Sequence, residues 1–328
     1  MKVCNYLELE SAFATSGIGT AVENQRKALK KVGIESIDNP RENYDIFHTN
    51  TIGPGSLYYI KKCNFNEKKV VIHAHTTSED FQDSFKFSNQ LSKPLKKYLE
   101  FYYDQGDILL CPSEYTKNRL KEYNIQKDPI VVSNGIDTQQ FTPNPTLRKE
   151  YRKKLKLKGV SVFAVGSVFK RKGVDTFAKI AKKFPQTDFI WFGPQYRGLQ
   201  KKETKKTIKN SPKNVTFTGK INNILGAYSA GDIFLFPSRN ENQGIAILEA
   251  ASCGKPILIR DIPAFNYLKH EKNCLKAKKE EEFKKHLDIL LNNENLRNKL
   301  SKNARMSAEQ HSLKKIGNRL KKIYKEIA

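Results

Sequence analysis

Ten short apolar runs, each followed by a stretch long enough for a helix, constrain this chain more than any other feature. Five fall at residues 3–7, 46–49, 69–74, 108–112 and 130–132, and five more at 160–166, 189–192, 215–217, 233–236 and 256–259. Strands that alternate with helix-length segments build parallel sheets with crossover helices, because parallel neighbours cannot be joined by a tight turn. The theme runs twice, and it is interrupted at Phe141-Thr-Pro-Asn-Pro-Thr146, where two prolines precede a basic segment. The expected architecture is therefore α/β, with two Rossmann-like domains facing each other across a cleft: 1–142, then 143–310. Ligands are expected at the carboxyl ends of the strands.

At 328 residues the chain can hold two cores of ordinary size, and its 28% charged and 38% hydrophobic content fits a folded globular protein. No apolar run reaches membrane-spanning length, and the N-terminus enters a strand almost at once, without a signal-peptide h-region. Cys4, Cys63, Cys111, Cys253 and Cys274 are scattered, odd in number and without metal-ligand spacing, which fits a reducing cytoplasm.

The net charge of +25 is unevenly placed. Residues 1–150 hold 20 Lys and Arg against 19 Asp and Glu, so nearly the whole excess lies in residues 151–328. Such a field attracts nucleic acid or an anionic membrane surface. Zinc-finger spacing, an RNP signature and a clear helix-turn-helix are all missing, which disfavours nucleic acid. Residues 86–103 set Leu91, Leu95, Leu99 and Tyr102 on one helical stripe beside Lys86, Lys93, Lys96 and Lys97, the composition of a helix lying in a lipid interface. The alternative is an amphipathic helix buried against its own sheet. For the similar stripe Leu313, Ile316, Leu320, Ile323 and Ile327, packing on the protein is favoured.

The densest chemical signal is Ser238-Arg-Asn-Glu-Asn-Gln-Gly-Ile-Ala-Ile-Leu-Glu-Ala250. It places Glu241 in a strand-to-helix loop and Glu249 about one turn into the next helix, around the free N–H groups near Gly244 and Ile245. Carboxylates that grip sugar hydroxyls beside an anion site suit a nucleotide-sugar diphosphate; an acidic helix start is the plainer reading. Ser16-Gly-Ile-Gly-Thr20 is expected as a loop before a helix over about 21–32, with Gly17 and Gly19 allowing close backbone approach to a phosphate or an acceptor. His73 and His75 end the third run and face the cleft. As a metal pair they would need a third ligand, and none is evident. Asp80 could orient an acceptor hydroxyl.

The Ser238–Ala250 stretch, with Ala230–Ser238 before it and Glu249–Leu258 after it, resembles the E-x7-E signature of retaining glycosyltransferases of the GT-B fold, family 4. Val132–Phe141 resembles the family's N-G-V-D segment, and Val165–Gly173 its G-R-L-x-x-x-K-G pattern, with Ser167 where the family has arginine. The resemblance implies that Glu249 binds the ribose, Glu241 reaches the transferred sugar and Lys172, helped by Arg171, stabilises the departing diphosphate. It also implies that His75, His73 second, contacts the sugar, its backbone carbonyl assisting. Gly17 and Gly19 would lie over the diphosphate and acceptor, and a last helix, 311–328, would return toward the first domain. The family's glycine-aromatic pair after the first glutamate is Asn242-Gln243 here.

Tyr6-Leu-Glu8, SGIGTA, HAHTTSEDFQDSF, FIWFG and LIRDIP further resemble a basic subgroup that extends glucosyl-diacylglycerol. That implies transfer of glucose from UDP-glucose to monoglucosyldiacylglycerol, forming diglucosyldiacylglycerol, by a peripheral protein on the cytoplasmic face of an anionic membrane. Galactose from UDP-galactose, or a cell-wall or polysaccharide acceptor, are the alternatives; a non-enzymatic basic membrane- or nucleic-acid-binding protein is the reading from another class. No tightly bound cofactor or catalytic metal is implied, leaving Mg2+ at most a non-catalytic aid to lipid binding.

Overall fold

The computed structural model describes residues 1–13, 16–83, 88–196 and 198–327. Two six-stranded parallel sheets form its frame. The first comprises β1 (Lys2–Tyr6), β2 (Glu35–Ile37), β3 (Ile46–Thr49), β4 (Lys69–His73), β5 (Ile108–Cys111) and β6 (Ile130–Val131), in the order β2-β1-β3-β4-β5-β6. The second comprises β7 (Ser161–Val165), β8 (Asp188–Phe192), β9 (Val215–Gly219), β10 (Ile233–Phe236), β11 (Ile257–Arg260) and β12 (Leu275–Ala277), in the order β12-β11-β10-β7-β8-β9. The ten expected runs are all strands. The two unforeseen strands, β2 and β12, are three-residue strands at sheet edges, too short to show a period.

Both faces of each sheet are covered, so the central strands are apolar at consecutive positions rather than alternate ones. In the second sheet Phe163, Phe192, Phe234 and Phe236 enter one core, while Val162, Ala164, Trp191, Ile233 and Leu235 enter the other. The strand order reverses between β7 and β10, and in the first sheet between β1 and β3. At such switch points the helices leave on opposite faces and open a crevice at the carboxyl ends.

The Gly17–Lys31 helix starts four residues earlier than expected. Ser16 is its N-cap, accepting from the Gly19 amide at 3.1 Å, so Gly17 and Gly19 form the first helical turn rather than a preceding loop. The Leu313–Ile327 helix lies against this helix. A Cβ on Gly317 would stand 2.3 Å from the Ala28 carbonyl oxygen, so only glycine permits this approach. Leu313, Ile316, Leu320, Ile323 and Tyr324 join Val3, Leu29 and Ile46 in one core of the first sheet.

Candidate functional site

The exit loops of β7 and β10 flank the switch point of the second sheet, and they are locked together. Lys170–Lys172 is a single 3-10 turn ended by Gly173 at φ 78°. A Cβ there would meet the Pro237 carbonyl oxygen at 2.2 Å, which fixes the lysine turn against the loop carrying Glu241. Lys172 Nζ lies 2.5 Å from Glu241 Oε1, and Ser238 Oγ donates to the same oxygen at 2.7 Å. Arg171 Nη1 stands 3.8 Å from Glu241, 2.9 Å from Asp80 Oδ1 across the cleft, and donates to the Asn240 carbonyl at 3.0 Å.

Burial would raise the Glu241 pKa, but Lys172 and Arg171 outweigh it and hold the carboxylate below its ordinary range. Lys172 is lowered, chiefly by burial, with Arg171 adding to the effect and Glu241 opposing it. Asp80 is raised by burial in spite of Arg171. The site thus stores two cations against buried carboxylates.

Gly244 caps the Ile245–Ser252 helix without a side chain, so the Ile245 and Ala246 amides are available to an anion, while the Ile247 amide donates to the Gly244 carbonyl at 2.9 Å. Glu249, one turn in, is buried and accepts a hydrogen bond from the Tyr228 hydroxyl. Burial raises its pKa from 4.5 to about 7, with the tyrosine bond acting the other way.

Opposite lies a buried polar relay. His75 Nε2 donates to Asn50 Oδ1 (3.0 Å), Asn50 Nδ2 to Asn5 Oδ1 (2.7 Å), Asn5 Nδ2 to Gln25 Oε1 (3.1 Å) and Gln25 Nε2 to His73 Nδ1 (2.9 Å). The rings of His73 and His75 stack 4.2 Å apart, and His48, bonded to the Tyr324 hydroxyl at 2.6 Å, stacks on His73. Burial pushes His48 and His75 down to about 3 and His73 well below its usual value, so all three are neutral. Stacked faces do not converge on a metal, and among the described residues no group of three or more His, Cys, Asp or Glu could hold one.

The two halves meet through Asn242 and Gln243, which the sequence reading marked only as a departure. The Asn242 amide donates to the His75 carbonyl at 2.8 Å, and Gln243 Nε2 donates to Ser133 Oγ at 2.7 Å. Asn5, Gln25, Asn50 and Tyr228 were also missed. The available signal was polar residues inside or just after apolar runs, as at Asn5 and Asn50.

Of the expected lipid-facing residues, Lys93 and Lys97 are exposed on the Ser88–Tyr103 helix. Lys96 lies 4.7 Å over the Tyr123 ring and donates to the Glu122 carbonyl. Lys86 lies outside the described residues. The stripe divides: Leu99 and Tyr102 are in the core, whereas Leu91 is 50% exposed. Among the described residues no helix is long and apolar enough to cross a membrane.

Residues 147–307 match the family described as glycosyl transferases group 1, and residues 34–140 match glycosyltransferase family 4. The chain is 32% identical to the processive diacylglycerol alpha-glucosyltransferase of Acholeplasma laidlawii, across 100% of this chain and 98% of that protein. It is 26% identical to the alpha-galactosylglucosyldiacylglycerol synthase of Streptococcus pneumoniae, across 80% and 74%. Anabaena HepE in complex with UDP and glucose superposes with a TM-score of 0.79 at 15% identity over 99% of each chain. WaaG, a glycosyltransferase involved in lipopolysaccharide biosynthesis, gives 0.69 at 17% identity over 98% of each. With its two facing parallel sheets and a full-length relative at this identity, the chain belongs to the family 4 glycosyltransferases of the GT-B fold.

Proposed function

We propose that this chain is a retaining glycosyltransferase that moves glucose from UDP-glucose to monoglucosyldiacylglycerol, forming diglucosyldiacylglycerol at an anionic membrane surface. The observation that carries the donor half is the convergence of Lys172, Arg171, Glu241 and the capless Ile245–Ser252 helix at one switch point. Support for the lipid half comes from the end-to-end match to a diacylglycerol glucosyltransferase. The UDP and glucose held by Anabaena HepE are consistent with the donor.

In this reading the diphosphate competes with Glu241 for Lys172 and Arg171. That releases Glu241 to the hydroxyls of the hexose, while Glu249 takes the ribose hydroxyls. Charge grows on the departing phosphate as the anomeric C–O bond breaks, and the fixed cations and helix amides stabilise it there. The acceptor oxygen approaches on the same face and its proton passes to the leaving phosphate oxygen, so configuration is retained. Neutral His75, its Nε2–H given to Asn50, can accept from a sugar hydroxyl at Nδ1 without adding charge, and its carbonyl oxygen faces the positive charge developing at the anomeric carbon. Lys93 and Lys97, with Leu91 between the polar head groups, hold the Ser88–Tyr103 helix against anionic lipid on the cytoplasmic face.

The test is transfer from radiolabelled UDP-glucose and UDP-galactose to monoglucosyldiacylglycerol in vesicles, with and without anionic lipid. A disaccharide lipid that increases with anionic lipid supports the reading. UDP release without a lipid product refutes the acceptor while keeping the donor site. Two variants of the reading each have a specific basis. The word processive in the name of the Acholeplasma laidlawii protein favours diacylglycerol itself as a first acceptor, and supplying it alone would yield both glycolipids. The Streptococcus pneumoniae relative favours galactose, and the donor comparison decides between the two sugars.

A further inference from the structure

We propose that Asn242 is a positioning residue for sugar transfer. Projecting from the donor loop, it holds the His75 backbone carbonyl at the opposite wall of the cleft, so that one side-chain amide sets the direction of the carbonyl that faces the transferred sugar. The inference rests on the reading of His75 and Glu241 given above.

Asn242 is 8% exposed and sits between Glu241 and Gly244. Its Nδ2 donates to the His75 carbonyl at 2.8 Å, and its Oδ1 accepts from Thr77 Oγ1 at 3.3 Å. The loop's attachment to the first sheet does not rest on that side chain alone. The Asn242 carbonyl accepts from Ser113 Oγ at 2.5 Å and from Thr116 Oγ1 at 3.0 Å. Gln243 accepts from the Asn134 amide at 2.9 Å and donates to Ser133 Oγ at 2.7 Å. Docking is therefore shared among four N-domain groups, while the Asn242 amide is the contact aimed at the sugar-side turn.

That turn is held from several directions. The His75 amide closes on the His73 carbonyl at 2.9 Å, and the Tyr103 hydroxyl donates to the Thr76 carbonyl at 2.6 Å. A carbonyl oxygen has two lone pairs. The Asn242 amide uses one and fixes the direction of the C=O dipole, leaving the other for positive charge developing at the anomeric carbon. A fixed dipole stabilises the transition state more than the bound donor, so its loss should appear in kcat rather than in donor affinity.

The experiment compares the parent protein with Asn242→Ala, Asn242→Asp and Gln243→Ala. Aspartate keeps the size and can still accept from Thr77, but it cannot donate to the His75 carbonyl. UDP-glucose binding is measured by calorimetry, transfer to monoglucosyldiacylglycerol vesicles by steady-state kinetics, and folding by thermal unfolding. We expect kcat to fall about ten-fold or more in both Asn242 variants, because small misplacements at a reacting centre cost this much. The UDP-glucose Kd should stay within about three-fold and the Tm of Asn242→Ala within a few degrees, with Gln243→Ala affected less in kcat. Full turnover by Asn242→Asp would overturn the inference alone, as would a Kd that worsens in step with kcat. A parent protein that neither binds UDP-glucose nor transfers glucose would overturn the proposed function, and this inference with it.

Discussion

Glu249 is buried with its pKa raised from 4.5 to about 7, and replacing it with glutamine should separate stability from donor binding. In the unfolded chain the carboxyl ionises at its ordinary value; in the folded protein ionisation is resisted until near neutrality. A raised carboxyl favours the folded state at low pH, and this advantage is lost as pH climbs from the unfolded to the folded pKa. Above that window the buried charge costs about 3 kcal/mol, at about 1.4 kcal/mol per pKa unit. Glutamine has nearly the same shape and can still accept from the Tyr228 hydroxyl, yet it carries no charge. Glu249→Gln should therefore be more stable than the parent by up to about 3 kcal/mol at pH 8, and by only about 1 kcal/mol at pH 5. Urea unfolding at the two pH values measures this, with the transition of the second sheet followed through the fluorescence of Trp191, which is buried there. UDP-glucose binding should weaken about ten- to a hundred-fold, the difference between a charged and a neutral partner for ribose hydroxyls. An equal stability gain at both pH values would refute the burial argument, and unchanged UDP-glucose affinity would refute the ribose assignment.

Lys172→Ala should destabilise the second sheet by about 3–5 kcal/mol because Glu241 loses its closest buried partner, and Lys172→Ala with Glu241→Ala should recover part of that loss in urea unfolding. The same single variant should lower transfer about a hundred-fold or more by removing a diphosphate cation, read as kcat with UDP-glucose. Gly317→Ala should destabilise the first sheet by about 1–3 kcal/mol, since the added methyl meets the Ala28 carbonyl oxygen at 2.3 Å, and unfolding should become less cooperative. Lys93→Glu with Lys97→Glu should weaken binding to anionic vesicles about ten-fold or more, each lost lysine accounting for about 1 kcal/mol, while UDP-glucose affinity is unchanged.

The central strands could be read from the sequence because double-sided burial writes itself as uninterrupted apolar residues, as in Ile233–Phe236. The edge strands β2 and β12 could not, because three residues are too few to show a period. The start of the Gly17–Lys31 helix was obscured by two glycines, residues that weaken a helix interior but cost less in the first turn below a serine cap. The positions of Glu241 and Glu249 could be read because they follow a strand of known direction, and that of Lys172 because its loop resembles the family's G-R-L-x-x-x-K-G pattern. Contacts that arise only when the domains face each other left no local trace, and Asn242 bonded to His75 is the plainest case. Tyr228 against Glu249 is similar, since a helix end and a helix start meet only after β10 is threaded between them. The Ser88–Tyr103 stripe shows the limit of periodicity: it locates an apolar face, and only packing reveals that Leu99 is interior and Leu91 is outward.

The Leu313–Ile327 helix covers a face of the first sheet, and Tyr324 reaches His48 from 276 residues further along. On the ribosome, the order of synthesis and the order of completion therefore diverge. Val3, Leu29 and Ile46 are made long before the Leu313–Ile327 helix, and their core cannot close until that helix follows, whereas β7 to β12 and their helices form a contiguous stretch that can finish first. A nascent chain of this kind carries an open apolar face on the first sheet while the second sheet is being made, and a stop codon a few residues before Ile316 would damage the first sheet rather than the second.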